Sequence, residues 1–307
     1  MTRRHQFGAI WLVAAIAVGG WAVPASAQTP TESPRPAIVS APWKVGLKRD
    51  AVVTGRLRDG TPGADVTLQR RQPGGEWNGI QTKPVGRRLK VRFVVREVGT
   101  TANYRLAYFD EVAGTQSFSS VAMIRVQSKL SFKASPDDAY AGRTIRLVGS
   151  LYPKAPGRRV VVQQFHEGKW RTVGRPKVRD GRFSTRFTPH ETDRKRPLRA
   201  WFKGDATSLG RKRSDSLRVY RSDLATWYGP GFYGNTTACG KTLGYNTLGV
   251  AHRTLPCGTK VAIMYGGRTV TVTVIDRGPY ARSNWDLTRE TAERLRFSGT
   301  DSIGVAH

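Results

Sequence analysis

The chain is poor in residues that bind metals or carry redox chemistry. Its 307 residues include two cysteines, three methionines and five histidines. Two cysteines lack the companion ligands that zinc needs, so neither a metal nor a cofactor is expected. Acidic side chains are scarce as well: 22 Asp and Glu stand against 51 Lys and Arg, for a net charge of +29. Beyond the N-terminus no apolar run is long enough to cross a bilayer as a helix. Apolar residues make up 38% of the chain, which suits several small cores better than one large one.

The one apolar run lies over 7–23, after Arg3 and Arg4 and before the small-residue triplet Ala25-Ser26-Ala27. That is the pattern of a cleaved export signal. Gly19, Gly20 and Pro24 interrupt the run, which is short for a membrane span. The mature protein is therefore expected to be secreted to the cell envelope, with no transmembrane segment once the signal is cut. An oxidising compartment favours a disulfide between Cys239 and Cys257 over two free thiols. Closing so short a loop stabilises by roughly 3 kcal/mol on chain-entropy grounds.

The charge is unevenly spread. Residues 1–27 carry +2 and residues 221–307 carry +4, which leaves +23 on residues 28–220. In a cytoplasmic protein that density would suggest nucleic acid; in an exported one it points to anionic polymers of the wall, and no nucleic acid is expected.

Pro30, Pro34 and Pro36 among small polar residues mark 28–37 as a linker. Two copies of one pattern follow. Gly55 and Gly149, Leu57 and Leu151, Gly63 and Gly157, Gln69 and Gln163, and Phe93 and Phe187 all stand 94 residues apart, while Trp77 and Trp170 stand 93 apart. So many matches at one offset indicate a tandem repeat. Short alternating segments, such as 66–69, 92–95, 160–163 and 182–185, are separated by Gly and Pro clusters. The fold class expected is mainly β: two tandem β-sandwiches of immunoglobulin-like or fibronectin-like architecture, over 38–128 and 129–221, then a C-terminal unit over 222–307. His166 and His190 stand alone and are expected to be surface residues.

In the C-terminal unit, strands are expected over 225–228, 260–265 and 269–275, with Gly266-Gly267 turning the hairpin. A helix is expected over 288–296, with Thr288 as N-cap and Glu290 in its first turn. Four motifs follow in order: Trp227-Tyr228-Gly229-Pro230-Gly231-Phe232-Tyr233-Gly234, Ala251-His252-Arg253-Thr254-Leu255-Pro256, Asp276-Arg277-Gly278-Pro279 and Asp286-Leu287-Thr288. Together they resemble the double-psi β-barrel of the RlpA (rare lipoprotein A-like) family, over about residues 224–307. Expansin-type wall-loosening proteins and some lytic transglycosylases share this barrel.

The resemblance implies a glycan ligand, peptidoglycan above all, and a lytic transglycosylase reaction that breaks the β-1,4 bond after N-acetylmuramic acid. Such chemistry needs a carboxylic acid with a raised pKa. Asp286 and Asp276 are the candidates: Trp285 and Leu287 beside Asp286 offer an apolar wall that would hold it protonated as proton carrier, and Arg277 beside Asp276 would favour its ionised form as the group that organises the site; His252 is the third catalytic candidate. Trp227 is expected in the core. Tyr228, Phe232 and Tyr233 are expected to stack on sugar, with Thr237, Lys241 and Arg277 completing the substrate-binding set. Lys241 stands where many family members carry Glu, so a non-catalytic, expansin-like wall binder is a second reading. A polyanion-binding envelope adhesin, dominated by the basic sandwiches, is a third.

Overall fold

The computed structural model describes residues 33–280 and 282–307, and the expected export signal lies outside the described residues. Strands make up nearly all the regular structure, with one α-helix, Arg289–Leu295, among the described residues. No helix among these residues is long and apolar enough to cross a membrane. The buried apolar residues fall into three main clusters along the chain.

The first cluster lies between two sheets. Arg35–Ser40, Arg49–Arg58 and Lys90–Val98 form one; Asp65–Arg71, Asn78–Pro84 and Ala102–Asp110 belong to the other. Alternation explains the faces: Ala51, Val53 and Leu57 point inward while Arg56 and Arg58 point outward. The first strand corrects the expected linker, because Arg35 to Ala37 are already paired with Arg58 to Arg56. Pro36 is tolerated there because this strand is at a sheet edge.

The second cluster repeats the arrangement between Lys129–Ser135, Ile145–Tyr152 and Arg182–Phe187 on one side and Val161–His166, Lys169–Gly174 and Asp193–Gly204 on the other. A shared clamp marks the internal repeat. Arg105 Nε donates to Gln69 Oε1 at 2.8 Å with its guanidinium 4.3 Å from the Trp77 ring centroid. Arg199 Nε donates to Gln163 Oε1 at 2.8 Å, 4.0 Å from the Trp170 ring. Gly55 and Gly149 are both needed for close packing, since a Cβ would come within 2.2 Å of Leu106 and 2.3 Å of Phe183. One expected match is out of register: Phe93 faces Val53, whereas Phe187 faces Ile145. The two copies differ in length between these strands, so equal offset is not equal position.

The second and third clusters share one strand. Leu209–Tyr228 runs for 20 residues. It pairs with Asp193–Gly204 up to Val219, then with Asp301–Ala306 over residues 221 to 225 and with Trp285–Thr288 over residues 225 to 228. The boundary expected at 221–223 therefore falls inside a continuous strand, where its hydrogen-bonding partners change. Tyr140, Tyr220, Met264, Ala262 and Ala306 form a small apolar contact at this point.

The third cluster fills a closed ring of six strands. Going round, Trp285–Thr288 pairs with Val250–His252, then Arg268–Asp276, Lys260–Tyr265, Asp301–Ala306, the end of Leu209–Tyr228, and Trp285–Thr288 again. The hairpin turn at Gly266-Gly267 forms as expected, with positive φ at both residues. The helix also forms as expected, with Thr288 at its N-cap.

One buried ion pair props the junction of the first two clusters. Arg158, its side chain 2% exposed, donates from Nε to Asp205 Oδ2 at 2.7 Å and from Nη2 to Asp205 Oδ1 at 2.9 Å. The loop so held gives the Thr207 carbonyl to Thr101 N at 2.9 Å, and Ser208 Oγ accepts from Ser128 Oγ at 3.0 Å. Burial pushes the Asp205 carboxyl up, but hydrogen bonds from Arg158 and Thr207 outweigh it and hold the group below its ordinary range. Asp205→Ala should cost about 3 kcal/mol at pH 7, because it leaves a buried guanidinium unpaired. Urea unfolding across pH checks the sign. The gap between wild type and variant stays constant above the ordinary Asp value of about 4, and closes as pH falls through the lowered one.

Candidate active site in the C-terminal barrel

Strand register brings the two aspartates together. Ala251 lies opposite Asp276 on one neighbouring strand and Asp286 on the other, and Thr226 lies opposite Asp286 on the next. Asp276, Ala251, Asp286 and Thr226 form one row across the barrel wall. The two aspartate Cα positions are two strand spacings apart, about 10 Å, on the same face. Between them stands the small side chain of Ala251, itself 3% exposed.

Each carboxylate has its own partners. Asp286 Oδ1 accepts from Thr226 Oγ1 at 2.8 Å, and Thr226 Oγ1 lies 3.0 Å from Ser283 Oγ. Burial pushes the Asp286 carboxyl above its ordinary range; the Thr226 hydrogen bond opposes this and the charge of Asp276 reinforces it. Trp285 and Leu287 are not the apolar wall their sequence positions suggest. Alternation turns both into the barrel core, on the other side of the strand. Asp276 Oδ1 accepts from the backbone N–H of Ala238 and of Arg277, both at 2.8 Å. Tyr228 sits beside both. Burial, then the charges of Asp276 and Asp286, push its hydroxyl well above the ordinary range.

His252 does not join this row. It pairs with Trp285, one residue along from the Ala251–Asp286 pair, so its side chain leaves by the opposite face. Its ring packs 4.3 Å from that of Trp285, and Nδ1 accepts from the N–H groups of Thr254 and Leu255 at 3.2 and 3.0 Å. Burial, then the positive charges of His307 and Arg221, hold its pKa below the ordinary value. The imidazole is a neutral plug at the end of the barrel core.

The expected substrate-binding residues divide. Phe232 is 56% exposed and edge-on to Tyr228 at 6.2 Å, and Lys241 is exposed. Tyr233 is half-buried: it stacks on Tyr245 at 4.0 Å, and its hydroxyl lies so close to Gly229 that a Cβ there would approach it to 2.4 Å. Thr237 is buried and turns its own loop, accepting from Lys241 N at 3.1 Å. Arg277 donates to the backbone carbonyls of His252 at 3.3 Å and Asp276 at 3.5 Å and to Cys257 Sγ at 3.3 Å, so its guanidinium does not pair with the Asp276 carboxylate. Trp227, expected in the core, is 38% exposed. The reading of the sequence missed Thr226, Ser283, Ala238 and the exposed rings of Tyr245 and Tyr280. For Thr226 a signal existed: two residues before Tyr228 in a strand, it must share that residue's face.

The Cys239–Cys257 disulfide closes. It ties the loop that supplies the Ala238 donor to the segment just before Gly258, whose N–H bonds to the Val274 carbonyl.

A closed six-stranded ring with two parallel pairs, 225–228 beside 285–288 and 250–251 beside 274–276, defines residues 222–307 as a double-psi β-barrel. Those same residues match the family model described as "Lytic transglycolase". The barrel is of the RlpA-like family. A probable endolytic peptidoglycan transglycosylase RlpA from Synechocystis sp. is 43% identical over 95 residues, covering 30% of this chain and 29% of that protein. The endolytic peptidoglycan transglycosylase RlpA of Campylobacter jejuni is 44% identical over 85 residues, 26% of this chain and 31% of that one. The Yersinia pestis protein of that name is 40% identical over 85 residues, 27% and 24%. The chain spans less than a third of the length of each. Among solved structures, a tetra-tandem repeat from the extending region of a large adhesion protein covers 89% of this chain and 74% of its own at TM-score 0.37 and 14% identity, a likeness too low to carry an argument.

Two outcomes follow for stability. Asp286→Asn removes a charge that burial opposes, so it should raise the melting temperature at pH 7. The gain disappears below pH 4, where the native carboxyl is already protonated. A Cys239→Ser/Cys257→Ser variant should lose about 3 kcal/mol in equilibrium unfolding.

Proposed function

We propose that this is an exported wall protein whose barrel cleaves peptidoglycan glycan as a lytic transglycosylase. The observation that carries the reading is Asp286, half-buried with its pKa raised, in one row with Asp276. The relatives' names, endolytic peptidoglycan transglycosylase, support the same substrate class.

Protonated Asp286 donates to the glycosidic oxygen as the bond from C1 of N-acetylmuramic acid breaks. Positive charge develops at C1 and the ring oxygen, and the Asp276 carboxylate opposes it across the row. The C6 hydroxyl oxygen of the same sugar then bonds to C1, and its proton returns to Asp286. No water is consumed and the product ends in a 1,6-anhydro sugar. Tyr228 and Phe232 flank the carboxylates, and Tyr245 extends the aromatic surface toward neighbouring sugars. His252 acts here as a packing residue. The two N-terminal units are read as immunoglobulin-like sandwiches that set the barrel at a distance within the envelope.

Lys241 sustains a second reading, a non-catalytic expansin-like binder, since a cation stands exposed where the family commonly places an acid. One experiment separates the two. Mature protein is incubated with sacculi and the soluble products are analysed by mass spectrometry. Turnover yields anhydro-muropeptides, and Asp286→Asn lowers their release by about 10²- to 10⁴-fold, as expected for loss of a general acid. Retention on insoluble peptidoglycan with no soluble product from the wild type would establish the binder instead.

A further inference from the structure

A wide groove lies on a different unit from the carboxylates, on the outer face of the sheet Lys129–Ser135, Ile145–Tyr152 and Arg182–Phe187. Its volume is about 1240 Å³. Lys133, Arg146 and Arg182 project from the sheet; Arg159, Arg175, Lys177 and Arg179 come from the segment that borders it. All seven are exposed, and no Asp or Glu lines the groove. None of the seven is paired with a carboxylate among the described residues. The hydroxyls of Ser131, Ser150 and Ser184 lie on the floor.

The repeat supplies an internal control. Strand register aligns Lys133, Arg146 and Arg159 with Ser40, Val52 and Asp65 of the first copy, and Arg182 with Lys90. The scaffold therefore does not require the cations at Lys133, Arg146 and Arg159, while the one at Arg182 recurs in the first copy. Seven like charges around one groove focus a positive potential that attracts an anionic occupant.

The geometry points to a chain-like phosphodiester polymer without bases as the ligand of this groove. Arg175, Lys177 and Arg179 recur every second residue along the bordering segment, about 7 Å apart, and Lys133, Arg146 and Arg182 stand on three different strands, opposite Val148, Arg186 and Ser150, so the cations form an open lattice along the groove. That lattice follows an extended polyanion better than a single small ion. Five of the seven are arginines; with serine hydroxyls they surround a tetrahedral oxyanion from several sides, whereas a planar carboxylate takes a fork from one. Nucleic acid fits less well, because the two groove aromatics, Phe132 and Phe183, are 8% and 4% exposed and offer no face for base stacking. The inference stands independently of what the barrel does.

The test measures binding of the mature chain to poly(glycerol phosphate), poly-L-glutamate and single-stranded oligo(dT) across salt concentrations. Poly(glycerol phosphate) should bind tightest. Arg146→Ser/Arg182→Ser should weaken it by about tenfold and flatten the log–log salt slope by about 0.7 for each lost contact. Arg58→Ser/Arg96→Ser removes the same charge from the first unit and should change affinity by less than about twofold. Thermal unfolding of both variants verifies that they fold. Equal losses in the two variants would show that net charge, not the groove, holds the polymer. Equal affinity for poly-L-glutamate, or tighter binding of oligo(dT), would equally overturn the assignment.

Discussion

Cross-strand register is the constraint on which the candidate site depends. Because the six strands close, the offset of each pair is tied to all the others, and Asp276, Ala251, Asp286 and Thr226 are held at one level. A slip of one residue in Trp285–Thr288 would send Asp286 into the core and Trp285 out of it. The buried Trp285, anchored by its indole N–H to Asp223 Oδ2 at 2.9 Å, opposes that slip. The core side of the wall thereby fixes the chemistry on the other side. His252 belongs to the core side as well, which is why an imidazole so near in sequence takes no part in the carboxylate row.

The loop from Gly229 to Gly249 completes the site from above, and it is held by three different means. Ala238 N bonds to Asp276, the disulfide fixes Cys239, and Tyr233 stacks on Tyr245 across the compact turn at Gly229. At the far end of the barrel the continuous strand Leu209–Tyr228 and the contact of Tyr140 against Gly304 join it to the preceding unit. The basic groove and the carboxylate row thus lie on units joined by a strand rather than by a flexible tether. A protein bound to a wall polymer through one would present the other from a defined direction.

Much of this was legible in the residues. The tandem repeat followed from Gly55 and Gly149, whose lack of a side chain is demanded by packing in both copies. The helix followed from Thr288 and the hairpin from Gly266-Gly267, because caps and tight turns are local. The aspartates followed from motifs. What was not legible depended on which face a strand presents and where a long side chain goes. Asp286 next to Trp285 looked walled by apolar groups, yet alternation places them on opposite sides. Arg277 next to Asp276 looked like its counter-ion, yet the guanidinium reaches His252 and Cys257. The break expected at 221–223 was a change of hydrogen-bonding partner within one strand, which composition alone does not reveal.

The most direct measurement of the central claim is a carboxyl-carbon NMR titration of the mature protein, following Asp286 in the wild type and in Asp276→Asn. The account predicts an Asp286 midpoint above the ordinary aspartate value, falling when the neighbouring charge is removed. A midpoint at or below the ordinary value, unmoved by that substitution, would contradict it.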